Sequence, residues 1–425
     1  MAIAVVGMID EREEALSLIK ERIEQHGHKA LLIDISIGTG AIVPSFKADI
    51  ECGELSELGG GPSEGVAGYL PDRRREAISI MAKGLKEKVM AFHKSGDLQG
   101  MLAISGLTGA MISLPALKEL PFGLPKIIIS SAMALPVHAD KYAEFVCVKD
   151  ITVMHAVVDT VGMNSLVRKL ALNGADAISG MVEGGVNTSL EEKPSIAITE
   201  FGFTDQGAHY IREILEEEYE LISFHANGVG DMAAMEIIPQ GGFHAFIDLV
   251  PGAFSEYLLG GNRNNSGPNR LDIASGLSIP YILCPGGFDI ISCGPIERKD
   301  KGDALWDSRK LAERKLVIQE HPRAHARMNV EELEYITSSA AERLNRYQHK
   351  ERVKVMIPLR GFSSLSVEGG PLYDPEVDKM FAITLKKYLD PEIEIIEIDS
   401  DINSKEFAKA VAKTLLMALR KENIP

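Results

Sequence analysis

The stretch AIAVVGMIDEREEALSLIKERIEQHGHKALLIDI, residues 2–35, carries the pattern that decides the fold. The apolar run Ala2–Val6 predicts a strand that ends at Gly7, Glu11–Gln25 predicts an amphipathic helix, and Ala30–Ile35 predicts a second strand. A strand, a helix and a strand in this order indicate a right-handed crossover between two parallel strands.

The same alternation continues through the first half of the chain. Further strands are predicted at Gln99–Ile104, Lys126–Ser130 and Phe145–Val148, and further helices at Arg73–Lys94 and Asp150–Ala175. Residues 38–72 are rich in glycine and proline and have little periodicity. Such a long loop is typical of a lid, a binding loop or a partner surface.

The second half starts the rhythm again after the loop EGGVNTSLEEKP, residues 183–194. Helices at Gln206–Glu217 and Pro375–Leu389 separate some of six predicted strands: Ser195–Thr199, Leu221–Phe224, Ala245–Leu249, Tyr281–Cys284, Val353–Pro358 and Ile393–Ile398. The predicted fold class is therefore α/β, with two Rossmann-like domains at 1–190 and 191–425, each a mainly parallel sheet flanked by helices.

Composition narrows the classes of function. The chain has 425 residues, a net charge of −16 and a pI of about 5.2, which argues against nucleic acid as a partner. It shows no signal peptide and no apolar run long enough for a bilayer, so we expect no membrane association. Four cysteines without a CxxC pair favour reduced thiols and a cytoplasmic location. The size of the chain favours a homo-oligomer.

In parallel sheets, ligands bind where loops follow the carboxyl ends of the strands. In the first half these loops contain the candidate phosphate-binding residues Gly7, Asp10, Ser105, Gly106 and Thr108. Open amides at a helix start attract anions. However, neither GxxxxGK[ST] nor GxGxxG is present, so a plain strand–helix corner is the alternative interpretation.

The strand ends of the second half carry more titratable side chains. His225 is the candidate acid–base residue, with Asp231 or Glu200 as its partner. Arg360 is the candidate anion clamp, and a set of small residues completes the candidate phosphate-binding site: Gly228, Gly230, Gly286, Gly287 and Ser363. If the strands are neighbours, these groups face one crevice. A half-buried structural histidine is the alternative for His225.

Three other features give weaker signals. His321 and His325 have the i, i+4 spacing of a metal chelate, but Pro322 lies between them and no third ligand is near. Cys284 and Cys293 lack supporting histidines, so no tightly bound metal is expected. The loop GGNRNNSGPNRL, residues 260–271, is either a substrate contact or a solvated excursion.

The chain resembles, nearly end to end, the family that contains the N-terminal region of the tomato mosaic virus resistance protein. The resemblance rests on segments spread along the chain, including DITVMHAVVDTVGMN (150–164), FHANGVGDMAAME (224–236), GPNRLDIASGLSIP (267–280), VMIPLRGFSSLSVEGGPLYDPEVD (355–378) and EIIEIDSDINSKEFA (394–408). Ser105, Gly106 and Thr108 match one of the family's turns, in which Leu107 replaces a glycine.

This resemblance implies two Rossmann-like domains and an ATP-binding N-terminal region, with ATP and Mg²⁺ as the candidate cofactors. Together with the strand-end residues, it predicts a nucleotide- or phosphate-binding enzyme that acts on a small anionic metabolite. Its site is expected at the C-terminal strand ends and the domain interface. The alternative is a non-catalytic ATP-binding regulatory or protein-interaction module, and a metal-dependent hydrolase or lyase is the third hypothesis.

Overall fold

The computed structural model describes residues 1–184, 193–320 and 323–421, and the chain divides into two compact units, Met1–Thr188 and Ser189–Pro425. The predicted boundary between residues 190 and 191 lies outside the described residues. Each unit has its own sheet and its own apolar clusters, so each is described separately.

The first unit alternates strands and helices along the chain. Its elements are β1 (Ala2–Gly7), α1 (Ile9–Gln25), β2 (Lys29–Asp34), α2 (Cys52–Gly59), α3 (Arg74–Lys94), β3 (Leu98–Ser105), α4 (Leu107–Glu119), β4 (Lys126–Ser130), α5 (Ala139–Val146), β5 (Thr152–His155) and α6 (Ser165–Glu183). The five strands form one parallel sheet in the order β2-β1-β3-β4-β5.

Both faces of this sheet are covered because its central strands are apolar on both sides. Val5 and Leu102 face one cluster with residues of α1 and α6, whereas Val6 and Ala103 face a second cluster with residues of α3 and α4. All six residues of β1 and all five residues of β4 are buried in the centre of the sheet. This is the doubly wound arrangement that the sequence predicts.

The second unit is larger and contains two sheets. Its elements are β6 (Ser195–Glu200), α7 (Asp205–Leu215), β7 (Glu220–His225), α8 (Val229–Ile237), β8 (Phe243–Asp248), α9 (Gly252–Leu259), β9 (Tyr281–Leu283), β10 (Ile290–Gly294), α10 (Ala304–Ser308), β11 (Leu316–Glu320), β12 (Arg323–Arg327), α11 (Val330–Leu344), β13 (Val353–Pro358), α12 (Pro375–Tyr388), β14 (Glu394–Ile398) and α13 (Lys405–Lys421).

Six of these strands form a parallel sheet in the order β14-β13-β9-β8-β6-β7. Helices α7 and α13 pack on one face through residues such as Ile211 and Leu415, and α11 and α12 pack on the other through Ile336 and Phe381. The remaining three strands form an antiparallel sheet in the order β10-β12-β11. The α/β fold class with mainly parallel sheets is thus confirmed.

Three local predictions are wrong. Phe145–Val148 is not a strand, because α5 runs to Val146 and the fifth strand is Thr152–His155. That strand lies inside the segment predicted as the helix Asp150–Ala175. The predicted loop 38–72 contains α2, in which Leu55 is completely buried. The antiparallel sheet was not predicted at all.

Among the helices in the described ranges, none combines the length and the apolar character that crossing a bilayer requires.

Candidate functional site

The first unit has a topological switch point between β1 and β3. Strand β1 pairs with β2 on one side and with β3 on the other, so the chain leaves β1 and β3 toward opposite faces of the sheet. A crevice outside the carboxyl ends of the strands is the usual ligand site in such sheets. Met8 follows β1 directly and Gly106 follows β3, and both line a cavity of about 570 Å³.

The cavity wall combines a helix start with two arginines. Gly106 is the N-cap of α4, and its first-turn residues Leu107, Thr108 and Gly109 also line the cavity. The first amides of a helix have no intrahelical acceptor, and the helix dipole favours negative charge there. The guanidinium groups at this wall belong to Arg12 and Arg74.

Arg12 is fixed inside the wall. Its backbone departs from helical geometry within α1 (φ −136°, ψ 28°), and its side chain is only 2% exposed. Nε donates to Thr160 Oγ1 at 2.8 Å, and Nη1 is ion-paired with Glu11. Nη2 lies 3.2 Å from the position that a Cβ would take at Gly106. The glycine therefore leaves space for the guanidinium beside the start of α4.

Arg74 stands at the start of α3 and reaches the same turn from solvent. Its Nη2 donates to Thr108 Oγ1 at 2.7 Å. Thr108 thus connects a surface arginine to the first turn of α4. Arg74 was not among the predicted site residues, although it lies in the basic run DRRRE, residues 72–76.

The predicted phosphate-binding residues of this unit divide into two groups. Gly106 and Thr108 lie at the cavity. Gly7, Asp10 and Ser105 are not among the residues that line it. A Cβ at Gly7 would meet Leu16 at 2.8 Å, so the glycine allows α1 to pack closely on β1.

Asp10 and Ser105 are buried, and their surroundings indicate that they support the fold. Asp10 Oδ2 accepts from the amide of Gly40 at 2.8 Å and thereby holds the segment that follows β2. Burial raises the pKa of the Asp10 carboxyl, while the bonds from Gly40 and Ser36 oppose this rise. The Ser105 hydroxyl is fully buried, and the described residues provide no hydrogen-bond partner for it.

A strained residue borders the cavity. Val157 has φ of +63° and a side chain that is 76% exposed, and it lines the cavity together with Asp159 and Val161. Left-handed backbone is unfavourable for a β-branched residue, and such strain clusters at binding sites. The segment that carries it is held because the amide of Gly162 donates to the carbonyl of Glu11 at 3.2 Å.

The second unit also has a switch point, between β6 and β8, but a side chain of the protein fills it. Arg263 belongs to the polar loop 260–271 and is buried. Its guanidinium lies 4.9 Å from the ring centroid of Phe201, which follows β6. It also donates to Glu256 Oε1 at 2.8 Å and to the carbonyl of Ala226 at 3.2 Å. For the loop 260–271, substrate contact and a solvated excursion were the two alternatives. The structure shows that this loop places a buried arginine in the crevice.

Among the described residues His225 has no hydrogen bond or ion pair to Asp231 or to Glu200, the two carboxylates predicted as its possible partners, although Glu200 lies beside it in the β6–β7 register. His225 ends β7 at the edge of the sheet, is exposed, and packs its ring 5.1 Å from that of Phe201. Asp231 is fully buried, accepts from the amide of Gly228 at 2.9 Å and is ion-paired with Arg270. Glu200 accepts from Arg212 Nη2 at 3.0 Å. Both carboxylates are therefore engaged by arginines.

Arg360 lies far from His225 across the sheet. It follows β13, which is four strand positions from β7 in the sheet order. At about 4.8 Å per strand, the two strand ends are about 19 Å apart. Arg360 is ion-paired with Asp399 through Nε at 2.7 Å and Nη2 at 2.8 Å. The predicted single crevice therefore separates into several places along the sheet edge.

The predicted glycines of the second unit are required by the backbone. Gly228 has φ of +94° and Gly287 has φ of +80°. A Cβ at Gly230 would lie 2.0 Å from the carbonyl oxygen of His225, and one at Gly286 would lie 2.3 Å from that of Leu249. These positions demand glycine for close packing between loops, whether or not a ligand binds.

A second cavity, of about 560 Å³, opens at the carboxyl ends of β13 and β14. Its lining includes Arg360, Glu368, Tyr373, Asp378, Asp401 and Asn403. Ser363 lies behind this wall and donates to Asp289 Oδ2 at 2.5 Å. Of the residues predicted for the site in the second unit, Arg360 lines this cavity, whereas Ser363 does not line it and is hydrogen-bonded to Asp289. Within the described ranges, no three histidine, cysteine, aspartate or glutamate side chains are grouped to hold a metal ion.

The fold and these sites define a class: an α/β protein of two units, each built on a doubly wound parallel sheet with polar groups at the strand ends. More specifically, the chain belongs to the uncharacterised protein family UPF0261. The N-terminal domain profile of this family matches residues 1–187, and its C-terminal domain profile matches residues 193–419.

Individual relatives agree with this assignment. A UPF0261 protein of Clostridium tetani is 31% identical over 421 residues, which is 99% of either chain. The ToMV resistance protein Tm-1(GCR237) of Solanum lycopersicum is 27% identical over 361 residues, which span 83% of this chain but only 46% of the tomato protein. Among solved structures, Os79 from O. sativa in complex with UDP covers 97% of this chain and 99% of its own at 10% identity. The TM-score of this match is 0.19, which is too low to support an inference about this chain.

Proposed function

We propose that the first unit binds a phosphate-bearing small molecule in the crevice between β1 and β3, and that Arg12 and Arg74 are its charged contacts. The observation that carries this proposal is the position of Arg12. A buried guanidinium lines a cavity at a helix start, and among the described residues its hydrogen bonds use only Nε and Nη1. Nη2 is left for a ligand.

The hydrogen-bond donors at the cavity favour an anion. Glu11, which is ion-paired with Arg12, and Asp159 balance the two guanidinium charges of the lining, so the described side chains add no net negative charge. The start of α4 adds a partial positive charge at the same wall. Charge-assisted hydrogen bonds from arginine to phosphate are short and strong, and an arginine fork fits two phosphate oxygens. The crevice therefore has the donors that a phosphate group requires.

ATP is the phosphate ligand that the family resemblance suggests, and it serves as the probe. A cavity of about 570 Å³ lies within the range of small-molecule sites, roughly 300–1,000 Å³. Magnesium commonly binds through one or two carboxylates together with substrate phosphates. Asp159 is an exposed carboxylate at this wall and is the residue that would contact a magnesium ion arriving with the nucleotide.

The direct test is isothermal titration of the full chain with ATP and Mg²⁺, with pyrophosphate, and with adenosine as the uncharged comparison. We expect ATP and pyrophosphate to bind and adenosine to bind at least tenfold more weakly. Loss of one charge-assisted contact costs about 1.5–3 kcal/mol, so Arg74→Ala should weaken ATP binding roughly 10- to 100-fold.

Arg75→Ala is the matched control, because Arg75 is exposed, lies next to Arg74 in α3 and does not line the cavity. Arg12→Lys retains the positive charge but lacks the planar guanidinium, which can donate two hydrogen bonds to one phosphate group. It should therefore weaken ATP binding while the circular dichroism spectrum stays unchanged. Equal affinity in the Arg74→Ala and Arg75→Ala variants, or adenosine binding as tightly as ATP, would show that the crevice does not recognise phosphate.

Binding without turnover is the second candidate function. Its support is the chemistry of the wall: the described residues that line the crevice include no histidine, cysteine or lysine, Glu11 is held by Arg12, and Asp159 is left as the one lining carboxylate without an arginine partner. A general base or nucleophile usually comes from those residue types or from a free carboxylate. Phosphate release from bound ATP, measured in a single-turnover assay, separates a binding module from a hydrolase.

A further inference from the structure

The cavity beyond β13 has a buried carboxylate in its wall. Asp378 lies in the first turn of α12, is 5% exposed and lines the cavity of about 560 Å³. One of its oxygens, Oδ1, is ion-paired with Nη2 of Arg327, which ends β12. The ion pair fixes the orientation of the carboxyl group, because both side chains are almost completely buried.

A second buried carboxylate shares the same arginine. Nη1 of Arg327 lies 3.9 Å from Oδ2 of Asp289, and the Ser363 hydroxyl donates to that same oxygen. Asp289 Oδ1 is buried and has no hydrogen-bond partner among the described residues. Two carboxyl groups therefore face a single guanidinium, and one positive charge cannot balance two negative charges in a buried cluster.

The other charges around the cavity are also mostly acidic. Glu368 and Asp401 line it with Asp378, whereas its one cationic lining residue, Arg360, is neutralised by Asp399. Asp374, at the N-cap of α12, adds a further carboxylate and is approached by Lys315 at 3.4 Å. The described lining thus carries an excess of negative charge, in contrast to the crevice of the first unit.

We propose that this cavity is a second ligand site that takes a small molecule bearing an ammonium group, and that Asp378 is the carboxylate that contacts this group. An ammonium ion would supply the positive charge that the Asp289–Arg327–Asp378 cluster lacks. Such a ligand differs in charge from the anionic metabolite that the sequence analysis placed at these strand ends. The inference concerns the second unit and stands independently of the proposed phosphate site.

The ionisation of Asp378 gives this site a measurable signature. Burial raises the pKa of Asp378 to about 7, with Arg327 opposing the rise and Asp289 and Asp374 adding to it. Asp378 therefore holds a proton in part of the molecules at neutral pH. An ammonium ligand favours the charged carboxylate, so binding should release a fraction of a proton per ligand at pH 7.

The test uses three four-carbon probes with cationic, neutral and anionic end groups: butane-1,4-diamine, butane-1,4-diol and succinate. Isothermal titrations of the full chain at pH 7, in two buffers with different heats of ionisation, measure both affinity and proton release. We expect the diamine to bind with proton release, and the diol and succinate to bind at least tenfold more weakly.

Asp378→Asn should weaken diamine binding at least tenfold and abolish the proton release. Glu376→Gln is the matched control, because Glu376 lies in the same helical turn and is 78% exposed. Should Asp378→Asn fail to fold, Asp401→Asn at the cavity wall should weaken diamine binding about two- to fivefold. Equal binding of diol and diamine, preference for succinate, absence of diamine binding, or unchanged binding in Asp378→Asn would each overturn the proposal.

Discussion

Asp231 and Arg270 form an ion pair in which both side chains are fully buried. Arg270 also donates to Asp248, through Nη1 at 2.9 Å and Nη2 at 2.8 Å. Burial opposes the charge on Arg270, but the two carboxylates outweigh it and raise the pKa of the guanidinium. Asp231 is therefore held by a cation inside the second unit, and the acid–base role beside His225 stays a prediction.

Replacing Arg270 by methionine should destabilise the second unit strongly. Asp231 and Asp248 would remain buried without their cation, and breaking a buried pair in this way costs about 3–5 kcal/mol. The chain has one tryptophan, Trp306, which is buried in the second unit, so its fluorescence during urea unfolding reports on this unit.

Arg343→Met is the control for this measurement. Arg343 pairs with Asp272 at 2.8 Å, but these side chains are 24% and 30% exposed. A partly solvated pair contributes about 0–1 kcal/mol. Similar losses of unfolding free energy in the two variants would mean that burial of the Arg270 cluster has no special energetic weight.

Gly106→Ala should weaken ATP binding about tenfold while leaving the unfolding transition nearly unchanged. The added Cβ would lie 3.2 Å from Nη2 of Arg12, so the guanidinium must move away from the start of α4. The backbone itself tolerates alanine, since φ at Gly106 is −85°. Gly180→Ala in α6 meets no atom within 4 Å and should bind ATP like the parent chain. Titration calorimetry measures both, and wild-type affinity in the Gly106 variant would contradict the assignment of Arg12.

Val157→Gly should stabilise the first unit slightly, by about 0.5–1 kcal/mol. Relief of left-handed strain gains about 1–2 kcal/mol, and the added freedom of glycine in the unfolded chain removes part of that gain. Val137→Gly serves as the comparison, because Val137 is 81% exposed and has no positive φ. We expect it to lower the calorimetric melting temperature, and a parallel decrease for Val157→Gly would refute the strain argument.

His325 should make the second unit less stable in acid. Burial, with the charges of Arg263 and Arg323, lowers its pKa from 6.5 to about 4. Between these two values the unfolded chain binds more protons than the folded chain. The free energy of unfolding therefore falls as pH drops from 6.5 to 4, by a total of about 3 kcal/mol from this residue.

His325→Gln should remove this part of the pH dependence, as measured by Trp306 fluorescence in urea at pH 7 and pH 4. His209→Gln is the control, since His209 is 56% exposed on α7 and pairs with Glu213. The quantity to compare is the change in unfolding free energy between pH 7 and pH 4, because the substitution also changes packing at both pH values. If this change is as large in His325→Gln as in the parent chain, His325 is not its source.

The sequence predicted the parallel sheets because their strands are short apolar runs separated by amphipathic helices. It failed where that pattern is weak. Three of the four residues of β5 are exposed. This edge strand therefore lacks a buried apolar run, and the sequence analysis included it in the helix predicted at Asp150–Ala175. The antiparallel sheet was missed because β12, with the sequence RAHAR, carries arginine or histidine at three of its five positions and so is not an apolar run.

The candidate sites were harder to predict than the fold, since they depend on contacts across the chain. Gly106 and Thr108 were found from their position after a strand. Arg12 was missed because its role depends on a local departure from helical geometry and on Thr160, which is 148 residues away. Asp378 was missed because its unusual environment is created by Arg327, a residue of the unpredicted sheet.

The arginine that fills the β6/β8 crevice has a consequence for stoichiometry. Two sheets of similar design would suggest two equivalent nucleotide pockets in each chain. Arg263 makes them inequivalent, because the second switch point is occupied by a side chain that no titrant displaces without breaking its bonds to Glu256 and Ser292. Titration with a phosphate ligand should therefore saturate at one equivalent per chain, not two.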